Sequence, residues 1–150
     1  MDFDSADKIL DFAIRQEEKA AAFYTDLATR TEIAHMKGAF LGFAEEERGH
    51  KARLLDIKAG KRMLHAEKKI ADLKIGDQLA EVDVSSGLDY QKALILAMKA
   101  EKAAYRLYTT LASATDDPGL KQTLLGLAQE EAKHKLRFEI EYDDNFYQEM

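Results

Sequence analysis

Cysteine is absent from this 150-residue chain. Disulfides, thiol nucleophiles, cysteine-ligated zinc and rubredoxin-type iron sites are therefore excluded within it. Tryptophan is absent too, and proline occurs once, at Pro118. So few helix breakers, in a chain rich in Ala, Leu, Glu and Lys, favour helix throughout. Positive charge is in deficit. The 22 Lys and Arg against 28 Asp and Glu leave a net charge of −6, which offers no footprint for nucleic acid or for an anionic membrane. No apolar run approaches the roughly 20 residues of a membrane span. The start, Met1-Asp2-Phe3-Asp4, lacks the basic cluster and apolar stretch of a secretory signal, so a cytoplasmic location is expected. The rest is the ordinary balance of a folded domain, 46% hydrophobic and 33% charged. That suffices for one domain over 1–150 with a real core.

Apolar spacing predicts four helices. The first spans about 5–30, capped by Asp4 or Ser5, with the stripe Leu10, Ala13, Glu17, Ala20, Tyr24, Leu27. A turn near Thr31-Glu32 leads to a second helix over 34–60, with the stripe Phe40, Phe43, Glu47, His50, Leu54, Ile57 and a stop at Gly60. Residues 61–88 are polar and turn-like. They are too many for a simple reversal, so they read as a crossover, with a short helix on Ile70, Leu73, Ile75 and Leu79. A third helix runs from about Asp89 to Ala114, with the stripe Leu94, Ala97, Glu101, Ala104, Tyr108, Leu111. Asp117-Pro118 is a helix-start signal for a fourth, running to about 145 with Leu124, Leu127, Glu131, His134 and Phe138 in line.

The two halves repeat. A shift of 84 places residues 10–53 on 94–137 without a gap, and 18 of the 44 pairs are identical. Unrelated helical segments would agree at about three or four. The chain thus reads as a duplicated helical hairpin, with copies at about 5–60 and 89–145.

In every helix the apolar stripe is broken at the same depth. Glu17 and Glu101 interrupt the first and third helices. Glu47 with His50, and Glu131 with His134, interrupt the second and fourth. A Glu three residues before a His puts both on one helix face. A solitary pair of that kind is an ordinary solvated face. Turning all six outward, however, would also expose Tyr24, Tyr108, Leu54 and Phe138, which share the stripes. Four carboxylates buried together need positive charge, and no Lys or Arg lies on the stripes at this level. Two divalent cations, completed by two imidazoles, meet the need. Carboxylate with imidazole suits iron or manganese, and zinc can compete. Tyr24 and Tyr108 follow Glu17 and Glu101 by two turns, where they either pack in the core or hydrogen-bond a ligand carboxylate. His35 and His65 fall off the stripes and read as surface residues.

The set Glu17…Tyr24, Glu47-x-x-His50, Glu101…Tyr108 and Glu131-x-x-His134 resembles the ferritin-like di-iron superfamily, and within it the rubrerythrin-like branch. The resemblance covers nearly the whole chain. It implies an all-α, ferritin-like antiparallel four-helix bundle with a long crossover between helices 2 and 3, holding two iron ions (Fe2+/Fe3+). It implies that Glu47 and Glu131 bridge the metals, that Glu17 and Glu101 are terminal ligands, and that His50 and His134 each cap one metal. In the bacterioferritin-like arrangement, the acidic residue before each bridging Glu reaches the histidine of the opposite motif. Here that pairs Glu46 with His134 and Glu130 with His50. Two features depart from rubrerythrins proper. Their further Glu, one turn after the third-helix ligand and tied to peroxide reduction, is Ala104 here. Their Cys-rich rubredoxin domain has no counterpart in a cysteine-free chain.

The expected function is that of a di-iron oxidoreductase reducing O2 or hydrogen peroxide with an external electron donor, in oxidative stress or iron handling. The alternatives are a non-catalytic protein that stores or delivers iron and a di-manganese, catalase-like enzyme. The branch it resembles implies a homodimer.

Overall fold

In a computed structural model, which describes residues 6–60 and 89–146, four helices form. They are α1 (Ala6–Arg30), α2 (Ala34–Ala59), α3 (Tyr90–Ala114) and α4 (Pro118–Asn145). Among the described residues there is no strand. The 84-residue shift carries both ends of α1 onto those of α3, and the start of α2 onto that of α4. The turns repeat as well. The hydroxyl of Thr31 accepts from the Ile33 N–H at 3.3 Å, and that of Thr115 from the Asp117 N–H at 3.2 Å.

The helix ends follow local chemistry. Asp89 caps α3 by accepting from the Lys92 N–H at 2.8 Å. Asp117 caps α4 by accepting from the N–H groups of Gly119 and Leu120, with Pro118 in the first turn where its missing N–H costs nothing. α2 does stop at Gly60, but with φ −78° and ψ −6°. The left-handed turn that would have required glycine there is not used. The crossover and its short helix on Ile70, Leu73, Ile75 and Leu79, the caps Asp4 and Ser5, and His65 all lie outside the described residues.

Within each hairpin the helices pack antiparallel, α1 on α2 and α3 on α4. Between hairpins the contacts show direction. Tyr24 meets Glu101 while Glu17 meets Tyr108, so α1 and α3 are antiparallel. His50 meets Glu130 while Glu46 meets His134, so α2 and α4 are antiparallel too. α2 and α3 therefore run parallel, and the end of one lies at the opposite end of the bundle from the start of the other. This is the all-α, ferritin-like four-helix arrangement.

The core has two apolar halves separated by a polar layer. One is largely aliphatic, with Ile9, Leu10, Leu54, Ile57, Leu111, Leu120, Leu124 and Leu127. The other is aromatic, with Phe23, Tyr24, Met36, Phe40 and Phe138 buried and Phe43 packed against them. The ring centroids of Phe138 lie 5.5 Å from Tyr24, 6.1 Å from Phe40 and 5.3 Å from Phe43. Under the repeat, Phe40, Phe43 and Phe138 correspond to Leu124, Leu127 and Leu54. Each stripe is thus buried apart from the half-buried Ala20, Phe43 and Ala104, and the six polar interruptions lie between the halves.

Gly42 in α2 and its repeat partner Gly126 in α4 sit in helix interiors where an added Cβ would meet nothing within 4 Å. Glycine there only lowers helix stability. Gly42→Ala and Gly126→Ala should each stabilise the protein by about 0.5–1 kcal/mol. The check is the denaturation midpoint at constant slope. Destabilisation by either would show that these surfaces are covered.

Candidate metal centre

Six side chains meet in the layer between the two apolar halves. α1 contributes Glu17 and α3 Glu101, while α2 contributes Glu47 and His50 and α4 Glu131 and His134. Each is at most 2% exposed. They reach this depth because each occupies a seam position of a long, uninterrupted helix, with apolar residues one and two turns away on both sides holding that face inward.

The donors fall into two overlapping groups. Glu17, Glu47, His50 and Glu131 offer ligand atoms within 4.8 Å of one another, and so do Glu47, Glu101, Glu131 and His134. Glu47 and Glu131 belong to both. The two groups exchange under the 84-residue shift, and their distances nearly agree. His50 Nδ1 is 3.6 Å from Glu17, 3.4 Å from Glu47 and 3.1 Å from Glu131. His134 Nδ1 is 3.5 Å from Glu101, 3.7 Å from Glu131 and 3.4 Å from Glu47. The two imidazoles lie nearly parallel, with centroids 6.4 Å apart. A pseudo-two-fold axis therefore passes through the centre.

A ring of hydrogen bonds surrounds the six. The Tyr24 hydroxyl donates to Glu101 and the Tyr108 hydroxyl to Glu17. Each tyrosine thus serves the carboxylate of the opposite hairpin, not the one two turns away on its own helix. His50 Nε2 bonds Glu130, and His134 Nε2 bonds Glu46. A carboxylate only accepts, so each Nε2 carries the hydrogen. In the neutral ring, the Nδ1 lone pair then faces the centre. Arg53 stands 3.6 Å behind Glu130, whereas its repeat partner Arg137 bonds the Met36 sulfur.

One atom from each of the six has no hydrogen-bond partner: Glu17 Oε2, Glu47 Oε1, Glu101 Oε2, Glu131 Oε1, and Nδ1 of His50 and His134. Among the described residues no Lys or Arg is buried. Six buried electron-pair donors aimed at one another are costly as they stand. Two divalent cations accept all six, and a hard, oxygen-rich set with one imidazole per metal suits iron or manganese. The residues fit a di-metal site.

The protein groups alone are strongly perturbed. Burial first, and then the facing carboxylates, push Glu47 and Glu131 well above the usual carboxylate range. Burial also raises Glu101, although His134 and Tyr24 oppose it. Burial alone would lower the imidazoles, but the carboxylates overcome it. Glu17, Glu47 and Glu130 push His50 up to about 9, and Glu101 and Glu47 push His134 up to about 10. Glu130 is held below the usual range, since His50 and Arg53 outweigh its partial burial. Burial and the adjacent carboxylates drive the Tyr24 and Tyr108 phenols well above their ordinary range, so both keep their protons.

One buried acid escaped the sequence reading. Glu141 is 4% exposed at the end of α4. It accepts from the Tyr90 hydroxyl at 2.9 Å and from Asn145 at 3.0 Å, and lies 3.4 Å from the exposed His35. Its spacing of three from Phe138 continues the seam, which was the signal available. These bonds tie the starts of α2 and α3 to the end of α4.

Comparison with known proteins agrees with this geometry. A family model described as Rubrerythrin matches residues 8–142, a span that includes all six central residues and their four hydrogen-bond partners. No curated protein and no solved structure gives a match.

The raised pKa values fix a sign. In the metal-free protein the folded state keeps protons that the unfolded chain has released. The stability due to these groups is complete below the ordinary carboxylate range and is lost as pH rises through the raised values, the last near 9 and 10 at His50 and His134. The Tm of metal-free protein should fall between about pH 5 and pH 9, and divalent metal should restore it most at the upper end, where the donors are deprotonated. Calorimetry across that interval decides. A metal-free Tm that stays level or rises is the contrary result.

Proposed function

Because the chain belongs to the rubrerythrin family, we propose that it is a di-iron oxidoreductase that reduces O2 or hydrogen peroxide at the six-residue centre. The observation that carries this reading is the pair of overlapping donor groups sharing Glu47 and Glu131. Glu17, Glu47, His50 and Glu131 would hold one iron. Glu47, Glu101, Glu131 and His134 would hold the other, with Glu47 and Glu131 common to both. When bound, the irons would supply two electrons for reducing peroxide to water or O2 to peroxide, with two protons drawn from solvent and the electrons restored by an external donor.

The chain's own residues set the conditions. Glu130 and Glu46 hold the Nε2 hydrogens and so present Nδ1 of His50 and His134 to the centre. Tyr24 and Tyr108 hold one oxygen each of Glu101 and Glu17, which leaves the second oxygen of each carboxylate, unpartnered in the protein, to ligate. Apolar layers above and below keep bulk water from the site, which strengthens every charge interaction in it.

The test is elemental analysis of protein purified without added metal, followed by anaerobic reduction and mixing with O2 or peroxide. Two irons per chain and stoichiometric oxidant consumption are expected. Bound iron that consumes neither oxidant would make this a holding or delivery protein, and bound manganese would overturn the iron assignment. Glu47→Ala removes a donor common to both groups and should leave less than one metal per chain, whereas Glu17→Ala should spare the second site. Glu130→Gln and Glu46→Gln should keep the fold and weaken metal affinity roughly 10–100-fold. Unchanged affinity in both would remove these two residues from the mechanism.

A further inference from the structure

A cavity of about 40 Å3 adjoins the metal centre between α1 and α3. Away from both, the outer edges of the two hairpins differ in character, and the repeat makes the comparison exact in position. Along the edge between α1 and α2, polar side chains join the helices. Arg48 bonds Thr25 at 3.1 Å, Lys51 pairs with Glu18 at 3.2 Å, and Lys58 pairs with Asp11. The 84-residue shift carries these pairs onto Ala132 with Thr109, Lys135 with Lys102, and Tyr142 with Ile95. None of the three can form an ion pair, and Lys135 turns to Glu139 on its own helix. Ala52 and Asp56 become Leu136 and Ile140, and Ala21 becomes Tyr105. Leu136 is 57% exposed, Ile140 45% and Tyr105 39%. The second hairpin thus shows an apolar edge where the first shows a charged one. Contiguous exposed apolar surface marks an interaction site, whereas scattered single leucines do not.

We propose that this edge of α4 is a docking surface for a second copy of the chain, with the two α4 helices antiparallel across a two-fold axis at Ala132. The face is self-complementary. Lys121, Leu125, Ala132, Leu136 and Asp143 follow one another at intervals of four, seven, four and seven residues, so they lie on one side of the helix. The stretch is about 33 Å long. Lys121 and Asp143 are both exposed and equidistant from Ala132. Antiparallel pairing about Ala132 sets each Lys121 against Asp143 of the other copy, and brings each Leu125 level with Glu139 and Ile140. Parallel pairing would set like charges together. Ala132 has the smallest side chain of the face, and it stands where the two helices cross and approach most closely. Its counterpart in α2 is Arg48, which would meet its own charge at such an axis, so the first hairpin cannot pair in this way. A contact of this isologous kind closes at two copies.

Sedimentation velocity of the full chain from about 1 μM to about 1 mM is the test. An equilibrium that stops at the dimer is expected. Ala132→Arg installs the residue that α2 already carries at this position. It should weaken the dimer at least roughly 100-fold, with metal content unchanged. Lys121→Asp and Asp143→Lys should each weaken it roughly 3–10-fold. Both suit the helix ends they occupy, acid near the start and base near the end, so the fold is kept. An equimolar mixture of these two variants should form a mixed dimer of near wild-type strength, because opposite charges then meet again at both ends. A wild-type chain that stays monomeric across the range overturns the proposal and leaves the edge to a different protein. A dimer that survives Ala132→Arg in a folded protein also overturns it, as does a mixture that associates no better than its components.

Discussion

Four carboxylates and two imidazoles share one buried layer, and everything else in the bundle is arranged around their mutual repulsion. Desolvating a single unpaired carboxylate is already expensive, and here four converge with no Lys or Arg buried beside them among the described residues. The protein groups can relieve this only by taking up protons, as the raised Glu47, Glu131, His50 and His134 show. Cations relieve it without protons. The apolar halves to either side supply the stability that keeps such a layer closed, and they also make its charges interact strongly. Stability and reactivity thus draw on the same burial, and neither could be increased on its own by moving the six residues outward.

Most of this architecture was readable in the sequence, for identifiable reasons. Helix ends were legible because caps and turn hydroxyls are local chemistry: the Thr31 turn recurs at Thr115, and Asp117 with Pro118 starts α4, although Ile33 at the start of α2 provides no such cap. The depth of the charged layer was visible because a seam position tolerates no exposed alternative without exposing Tyr24 and Phe138 too. The pairing of Glu46 with His134 and of Glu130 with His50 came from the family resemblance, and the hydrogen bonds seen are between those residues. Glu141 was not read, because a lone Glu near a helix end is usually solvated and its partners Tyr90 and Asn145 become neighbours only through tertiary packing. The crossing of Tyr24 to Glu101 was equally hidden, since periodicity along one helix carries no information about its partner. The cavity was out of reach altogether. Its lining is drawn from all four helices, and no single residue encodes it.

The two halves of the core teach a related lesson. The ligands are symmetric under the repeat and the packing is not: rings fill one side where leucines fill the other. Donor identity is dictated by the chemistry of the centre, so Glu17 and Glu101, or His50 and His134, cannot drift apart. Packing layers need only fill volume, and Phe138 against Leu54 does so with different neighbours on each side.

Each hairpin carries half of the donor set, one Glu on its first helix and a Glu-x-x-His on its second, and the halves meet around a two-fold axis. Two separate hairpins could form the same centre, but only to the extent that mass action allowed. Joined in one polypeptide, the encounter is intramolecular. Assembly of the centre then becomes independent of dilution. Tethering also fixes each half to a single sister, so neither surface has to complement a copy of itself. A self-complementary interface would require every change to fit twice, whereas here an aromatic ring on one side needs to match only the one surface it always meets.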